Sequence, residues 1–73
     1  MKAIKHNTVS VIIPNYNGRK LLAQYIPYTI TALNHCKTIE ASEIIVVDDA
    51  SQDDSVEYIK KNFSQIILLQ NEH

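Results

Sequence analysis

Two short polar clusters in this 73-residue chain carry residue types suited to ligand chemistry, Asn15-Tyr16-Asn17 behind Pro14 and Asp48-Asp49-Ala50-Ser51. Each closes an aliphatic run, Val9-Ser10-Val11-Ile12-Ile13 before the first and Glu43-Ile44-Ile45-Val46-Val47 before the second. A tyrosine ring offers a stacking face and a carboxylate accepts an N–H, a combination that suits a planar base. On spacing alone the structural alternative has equal standing, with Asp48 and Asp49 ending a strand and capping a helix. Other chemistries are excluded by composition. Gly18 is the sole glycine, so neither a Gly-rich dinucleotide loop nor a P-loop is present, and phosphate is not cradled by the first turn. Cys36 is the only cysteine, which rules out an internal disulfide and a thiolate zinc site and fits a reducing compartment. His6, His35 and His73 stand far apart, without a partner at helical spacing.

The elements that must position these clusters follow from hydrophobic pattern. Three β-branched or aliphatic segments, residues 9–13, 43–48 and 65–69, read as strands; short continuous apolar runs suit strands buried on both faces of a parallel sheet. Between the first two, roughly Arg19 to Lys37, residues Leu22, Ile26, Ile30 and Leu33 form one apolar helical face. Pro27 falls inside it, and the expectation is either a kink or two helices with Pro27 opening the second. A second helix is expected over Asp53 to Asn62, with Ser51 as N-cap and Val56, Ile59 and Phe63 facing inward. Asp53 and Asp54 in its first turn and Lys60 and Lys61 in its last suit the helix dipole.

The fold class is therefore α/β, a β-α-β-α-β unit with a three-stranded parallel sheet, half of a Rossmann-like nucleotide-binding domain. The strand order is 3-2-1 or 2-1-3. In such sheets ligands bind outside the carboxyl ends of the strands, the edge where Asn15, Tyr16, Asn17, Asp48, Asp49 and Ser51 collect.

Composition bounds the rest. Apolar residues make up 45% of the chain and charged ones 21%, which excludes a disordered tail. The longest aliphatic runs, Ile44 to Val47 and Ile66 to Leu69, are far short of the roughly 20 residues a membrane span needs. The first seven residues lack the apolar core of a signal peptide. Seven basic against eight acidic residues argue against a nucleic-acid partner. A domain of about 60 residues buries only about 60% of its extended-chain surface, and two helices cannot cover both faces of a sheet. The expectation is a piece of something larger.

The segments Val9-Ser10-Val11-Ile12-Ile13-Pro14-Asn15-Tyr16-Asn17 and Glu43-Ile44-Ile45-Val46-Val47-Asp48-Asp49-Ala50-Ser51-Gln52-Asp53-Asp54-Ser55 together resemble the start of an inverting family 2 glycosyltransferase of the GT-A fold. The resemblance runs from about Thr8 to His73 and rests on paired P-x-Y-N and V-D-D-x-S-x-D-x-S motifs. It implies strand order 3-2-1 and transfer of a sugar from a nucleotide-diphospho-sugar, with a UDP-sugar as expected donor, to an acceptor hydroxyl. Pro14 and Tyr16 match the motif that contacts the base. Asp49 matches the carboxylate that accepts the base N3–H, and Asp48 an acid that supports the loop. The implied nucleotide-sugar-binding set is Pro14, Tyr16, Asn17, Asp48 and Asp49. Arg19 is a departure, since many members carry an acidic residue there.

The metal-binding D-x-D motif and the acidic general base of such enzymes, expected further along, are not in this segment. Mg or Mn is expected for a full-length parent and no cofactor for this stretch. Residues 1–73 thus read as a truncated nucleotide-sugar-binding N-terminal part, inactive by itself. The expected setting is cytoplasmic, with a longer parent at the inner membrane face, in making cell-envelope polysaccharide. Two other readings compete. One is a non-catalytic half-domain that binds nucleotide or self-associates through its sheet edge. The other is a phosphorelay receiver-like domain, disfavoured because a full strand and helix precede the acidic pair.

Overall fold

The structure, a computed structural model, describes residues 8–72. Its elements run β1 (Thr8–Asn15), α1 (Arg19–His35), β2 (Ala41–Asp49), α2 (Ser55–Asn62) and β3 (Ile67–Asn71). The strands form one parallel sheet in the order β1-β2-β3, the 3-2-1 arrangement. Val11 pairs with Ile44, Ile13 with Val46 and Asn15 with Asp48; on the other side Val46 pairs with Leu68 and Asp49 with Asn71. Pro14 lies in β1, an edge strand, where the missing N–H is tolerated.

Strand order decides which faces are covered. Two right-handed crossovers advancing in the same direction across a sheet put both helices on one side. A single core results: Leu22 and Ile26 of α1 and Ile59 of α2 pack on Ile44 and Val46 of β2, with Ile66 closing one end. Val11, Ile13, Ile30, Leu33, Tyr58, Phe63 and Leu68 surround it. The expectation of strands buried on both faces is corrected. The alternate residues Ile12, Pro14, Ile45, Val47, Ile67 and Leu69 form a second face that neither helix covers, and Ile12 is 63% and Leu69 51% exposed.

Other boundaries differ for local reasons. α1 is one helix that runs through Pro27, so it is not divided in two. Proline cannot donate to the Ala23 carbonyl one turn back, and the Thr31 hydroxyl donates to the Pro27 carbonyl at 3.0 Å. Packing of Leu22 and Ile26 before the proline and Ile30 and Leu33 after it on one core favours continuity over a break. α2 starts at Ser55 rather than Asp53, with Asp54 in the N-cap position and no cap bond from its side chain. Asp53 takes that role, accepting from the Ser55 amide at 3.0 Å and from the Ser55 hydroxyl. β3 begins two residues later than expected because the Ile66 amide donates to the Phe63 carbonyl in a turn. Ile66 still enters the core, from the turn. β3 continues through Gln70 and Asn71, which pair with Asp48 and Asp49.

Candidate functional site at the carboxyl ends of the strands

Alternation along β2 sends its two terminal acids to opposite faces. Asp48 points under the helices and is 2% exposed; Asp49 follows Ile45 and Val47 on the uncovered side and is exposed. One residue of register therefore separates two chemical roles.

Asp48 is the hub of the first. Its Oδ1 accepts from the Asn15 side-chain amide at 2.8 Å and from the Ser51 hydroxyl at 2.6 Å, and its Oδ2 accepts from the Ser51 backbone N–H at 3.0 Å. Burial works to raise its carboxyl, but the Ser51 and Asn15 donors outweigh it and hold it below the ordinary carboxylate range. The same network ties the β1 loop to the β2 loop. The Ser51 hydroxyl accepts from the Asn17 backbone N–H at 2.9 Å, and Asn17 Oδ1 accepts from the backbone N–H groups of Gln52 and Asp53 at 2.7 and 3.3 Å. Asn17 and Ala50 both adopt positive φ, 52° and 55°. Asparagine enters this region readily and alanine does not, so the ring of hydrogen bonds holds Ala50 there.

Gly18 has a spatial reason rather than a torsional one. Its N–H donates to Asn15 Oδ1 at 3.1 Å, and a Cβ on it would sit 2.5 Å from that oxygen. Asn15 Nδ2 meanwhile serves Asp48 and, at 3.2 Å, Ser51, so the side chain cannot swing away without losing those bonds. Arg19 opens α1 against this frame. Its N–H donates to Asp53 Oδ2 at 3.2 Å, its guanidinium lies 3.5 Å over the Tyr58 ring, and its Nε is 3.5 Å from Asp54. The Ser55 hydroxyl chiefly holds the Asp53 carboxyl below the ordinary range, with burial opposing and the backbone N–H groups of Ser55 and Arg19 adding to the hydroxyl's effect. Through these contacts the Arg19 cation joins α1 to α2.

The open side of the edge carries Tyr16, 62% exposed, together with Asp49 and Asn71. Tyr16 follows Asn15, whose partner is Asp48, so Tyr16 and Asp49 leave adjacent strands at the same level. Pro14 is exposed on the face of Ile12. Of the five residues named from the resemblance, Pro14, Tyr16 and Asp49 are therefore accessible at one edge. Asp48 and the Asn17 side-chain oxygen are spent on the loop frame. Asn15, Ser51 and Asp53, absent from that set, are the other members of the frame. Their signal lay in the D-x-x-S and D-x-S spacings, which match local side-chain-to-backbone turns.

The donor set does not fit a divalent cation. Among the described residues no three His, Cys, Asp or Glu side chains converge, and Asp48 and Asp53 already accept from N–H and O–H donors. A hollow of about 370 Å³ lies beside the frame, between Asn17 to Leu21 and Asp53-Asp54. Another, of about 290 Å³ near Ile30, Leu33, Glu43 and Gln65, is at the opposite end of the sheet and away from this chemistry.

The polar edge of this half-Rossmann sheet, its acidic pair split between a buried brace and an open side, is the candidate ligand site, and sequence comparison supplies its family context. The family model for glycosyl transferase family 2 matches residues 10–73, and the chain belongs to this family. It is 41% identical over 58 residues to the undecaprenyl-phosphate 4-deoxy-4-formamido-L-arabinose transferase of Proteus mirabilis (strain HI4320), covering 78% of this chain and 17% of that protein. It is 40% identical over 53 residues to the transferase of the same name from Pseudomonas savastanoi pv. phaseolicola (strain 1448A / Race 6), covering 73% of this chain and 15% of that protein. The chain thus spans about one sixth of the length of these relatives. No solved structure matches it at the same stringency. Among the described residues no helix is long and apolar enough to cross a membrane.

Proposed function

We propose that this chain is the base-binding N-terminal part of a glycosyltransferase that moves a sugar from a nucleotide-diphospho-sugar, a UDP-sugar first, to an acceptor with inversion. Membership of the family supports sugar transfer, and the names of the two relatives, both undecaprenyl-phosphate transferases, support a polyprenyl-phosphate acceptor. The observation that carries the base-binding role is the split of the acidic pair: Asp48 braces the loops while Asp49 stays exposed beside Tyr16. Tyr16 stacks on the base and Asp49 accepts its N–H. Stacking contributes roughly 1–3 kcal/mol, and a hydrogen bond to a charged group about 1.5–3 kcal/mol. After association costs the isolated segment binds UDP at about millimolar strength.

Metal and general base belong to parts of the transferase outside this segment. This chain's own contribution is to orient the base and fix the donor's direction along the strand ends. The test is NMR titration of the chain with UDP and, for comparison, ADP. Shifts at residues 14–17 and 48–51, weaker for ADP and abolished in Asp49→Ala and Tyr16→Ala, are the expected result. Shifts that ignore Asp49→Ala would reduce the carboxylate to a strand end.

A further inference from the structure

We propose that the outward face of α1 is a docking surface for an anionic lipid bilayer. Leu21, Tyr25 and Tyr28 recur at spacings of four and three and make a stripe on the side of α1 away from the sheet, continued by Ala32. Their exposures are 56%, 55% and 72%. The buried side of the same helix, Leu22 and Ile26 with Ile30 and Leu33, already packs on the core, so the stripe is a second apolar face that folding of this unit does not require. Neither tyrosine hydroxyl has a hydrogen-bond partner among the described residues. An aromatic body with a polar tip is the side-chain type that gathers where hydrocarbon meets headgroups.

Charge selects the partner. Residues 1–39 contain five basic side chains and no acid, whereas residues 40–73 contain eight acids and two basic side chains. The near-neutral total conceals this asymmetry, a pattern associated with charged surfaces or polymers. α1 carries no acid along its length. Lys20 at its start and Lys37 just beyond its end are exposed and have no ion-pair partner among the described residues. A cation near each end of an aromatic stripe complements anionic headgroups and would be wasted against an acid-free apolar protein groove. The uncovered sheet face, by contrast, is apolar and carries the acids Glu43 and Asp49 at the ends of its β2 row.

The proposal stands on α1 and is independent of base binding at the strand ends. It is tested by flotation of the chain with vesicles of phosphatidylcholine alone and of phosphatidylcholine with phosphatidylglycerol, with circular dichroism confirming the fold of each variant. Expected is binding to the anionic vesicles that is at least tenfold stronger than to the neutral ones and falls with added salt. Lys20→Glu weakens it by more than the roughly fivefold factor that one surface lysine supplies. The double change Tyr25→Ser with Tyr28→Ser abolishes it, while Ile12→Thr with Leu69→Thr on the sheet face leaves it intact. Tyr28→Trp gives the chain its sole tryptophan, whose emission moves to the blue on the anionic vesicles. Absence of binding, equal binding to both vesicle types, or loss that follows the sheet-face variant overturns the proposal. So does a change of oligomeric state caused by the tyrosine variant without lipid, which would make the stripe a contact between copies.

Discussion

Asp48 and Asp49 are adjacent in the chain and opposite in consequence. Asp48→Ala removes the acceptor for the Asn15 amide, the Ser51 amide and the Ser51 hydroxyl. It is expected to cost about 2–3 kcal/mol in urea denaturation, the scale of buried hydrogen bonds to a charged group. Asp49→Ala should leave stability within about 0.5 kcal/mol and act on UDP binding alone. A large stability loss for Asp49→Ala would contradict this division of roles. The pH dependence has a definite sign. The folded carboxyls of Asp48 and Asp53 lie below their ordinary values, so the unfolded chain binds protons first. Their contribution is complete well above the ordinary aspartate pKa of about 3.9 and is lost as pH falls through the lower folded values. Asp48→Asn should therefore flatten the acid limb of a stability profile measured between about pH 5 and pH 2. An unchanged limb would mean that other carboxylates govern acid unfolding.

Within α1 and its entry, two residues carry opposite predictions. Gly18→Ala forces a methyl toward Oδ1 of Asn15, whose amide is held in place by Nδ2 donating to Asp48 and Ser51 and by Oδ1 accepting from the residue 18 N–H. A loss of about 1–3 kcal/mol is expected, as for other overpacked sites. The φ of Gly18, −103°, is open to alanine, so Asn15→Ala in the same chain should relieve most of the Gly18→Ala penalty. Full additivity of the two changes would place the strain elsewhere. Pro27→Ala goes the other way. It gives α1 a donor for the Ala23 carbonyl, and since a helix-interior proline costs roughly 3 kcal/mol relative to alanine, a gain of about 1–3 kcal/mol is expected in thermal unfolding. A destabilised Pro27→Ala would show that the core packing of Ile26 and Ile30 depends on the local geometry the proline imposes.

The whole molecule is a sheet with one dressed face and one bare one. Six apolar side chains on the bare face, and the open edges of β1 and β3, make the isolated chain prone to associate with itself. Ile12→Thr with Leu69→Thr should shift sedimentation toward monomer without lowering the urea midpoint, because neither side chain belongs to the core. An unchanged distribution would assign association to the strand edges instead. The isolated chain is also expected to transfer no sugar from any UDP-sugar with Mn²⁺ or Mg²⁺, since among the described residues no three His, Cys, Asp or Glu side chains converge to hold the metal that would neutralise the leaving diphosphate. Product above a heat-killed control would refute that.

Much of this was legible in residue order. The strands announced themselves through β-branched runs, the inner face of α1 through Leu22, Ile26, Ile30 and Leu33, and the polar edge through clusters that end two of those runs, because hydrophobic period is a local property. The P-x-Y-N and V-D-D-x-S motifs carried the family. Three things waited for tertiary structure. α1 continues through Pro27 because a shared core outweighs a missing hydrogen bond. β3 starts after Ile66 because a turn captures that residue's N–H. The different tasks of Asp48 and Asp49 depend on which face the helices cover, and that follows from strand order, a long-range pairing that no local spacing contains.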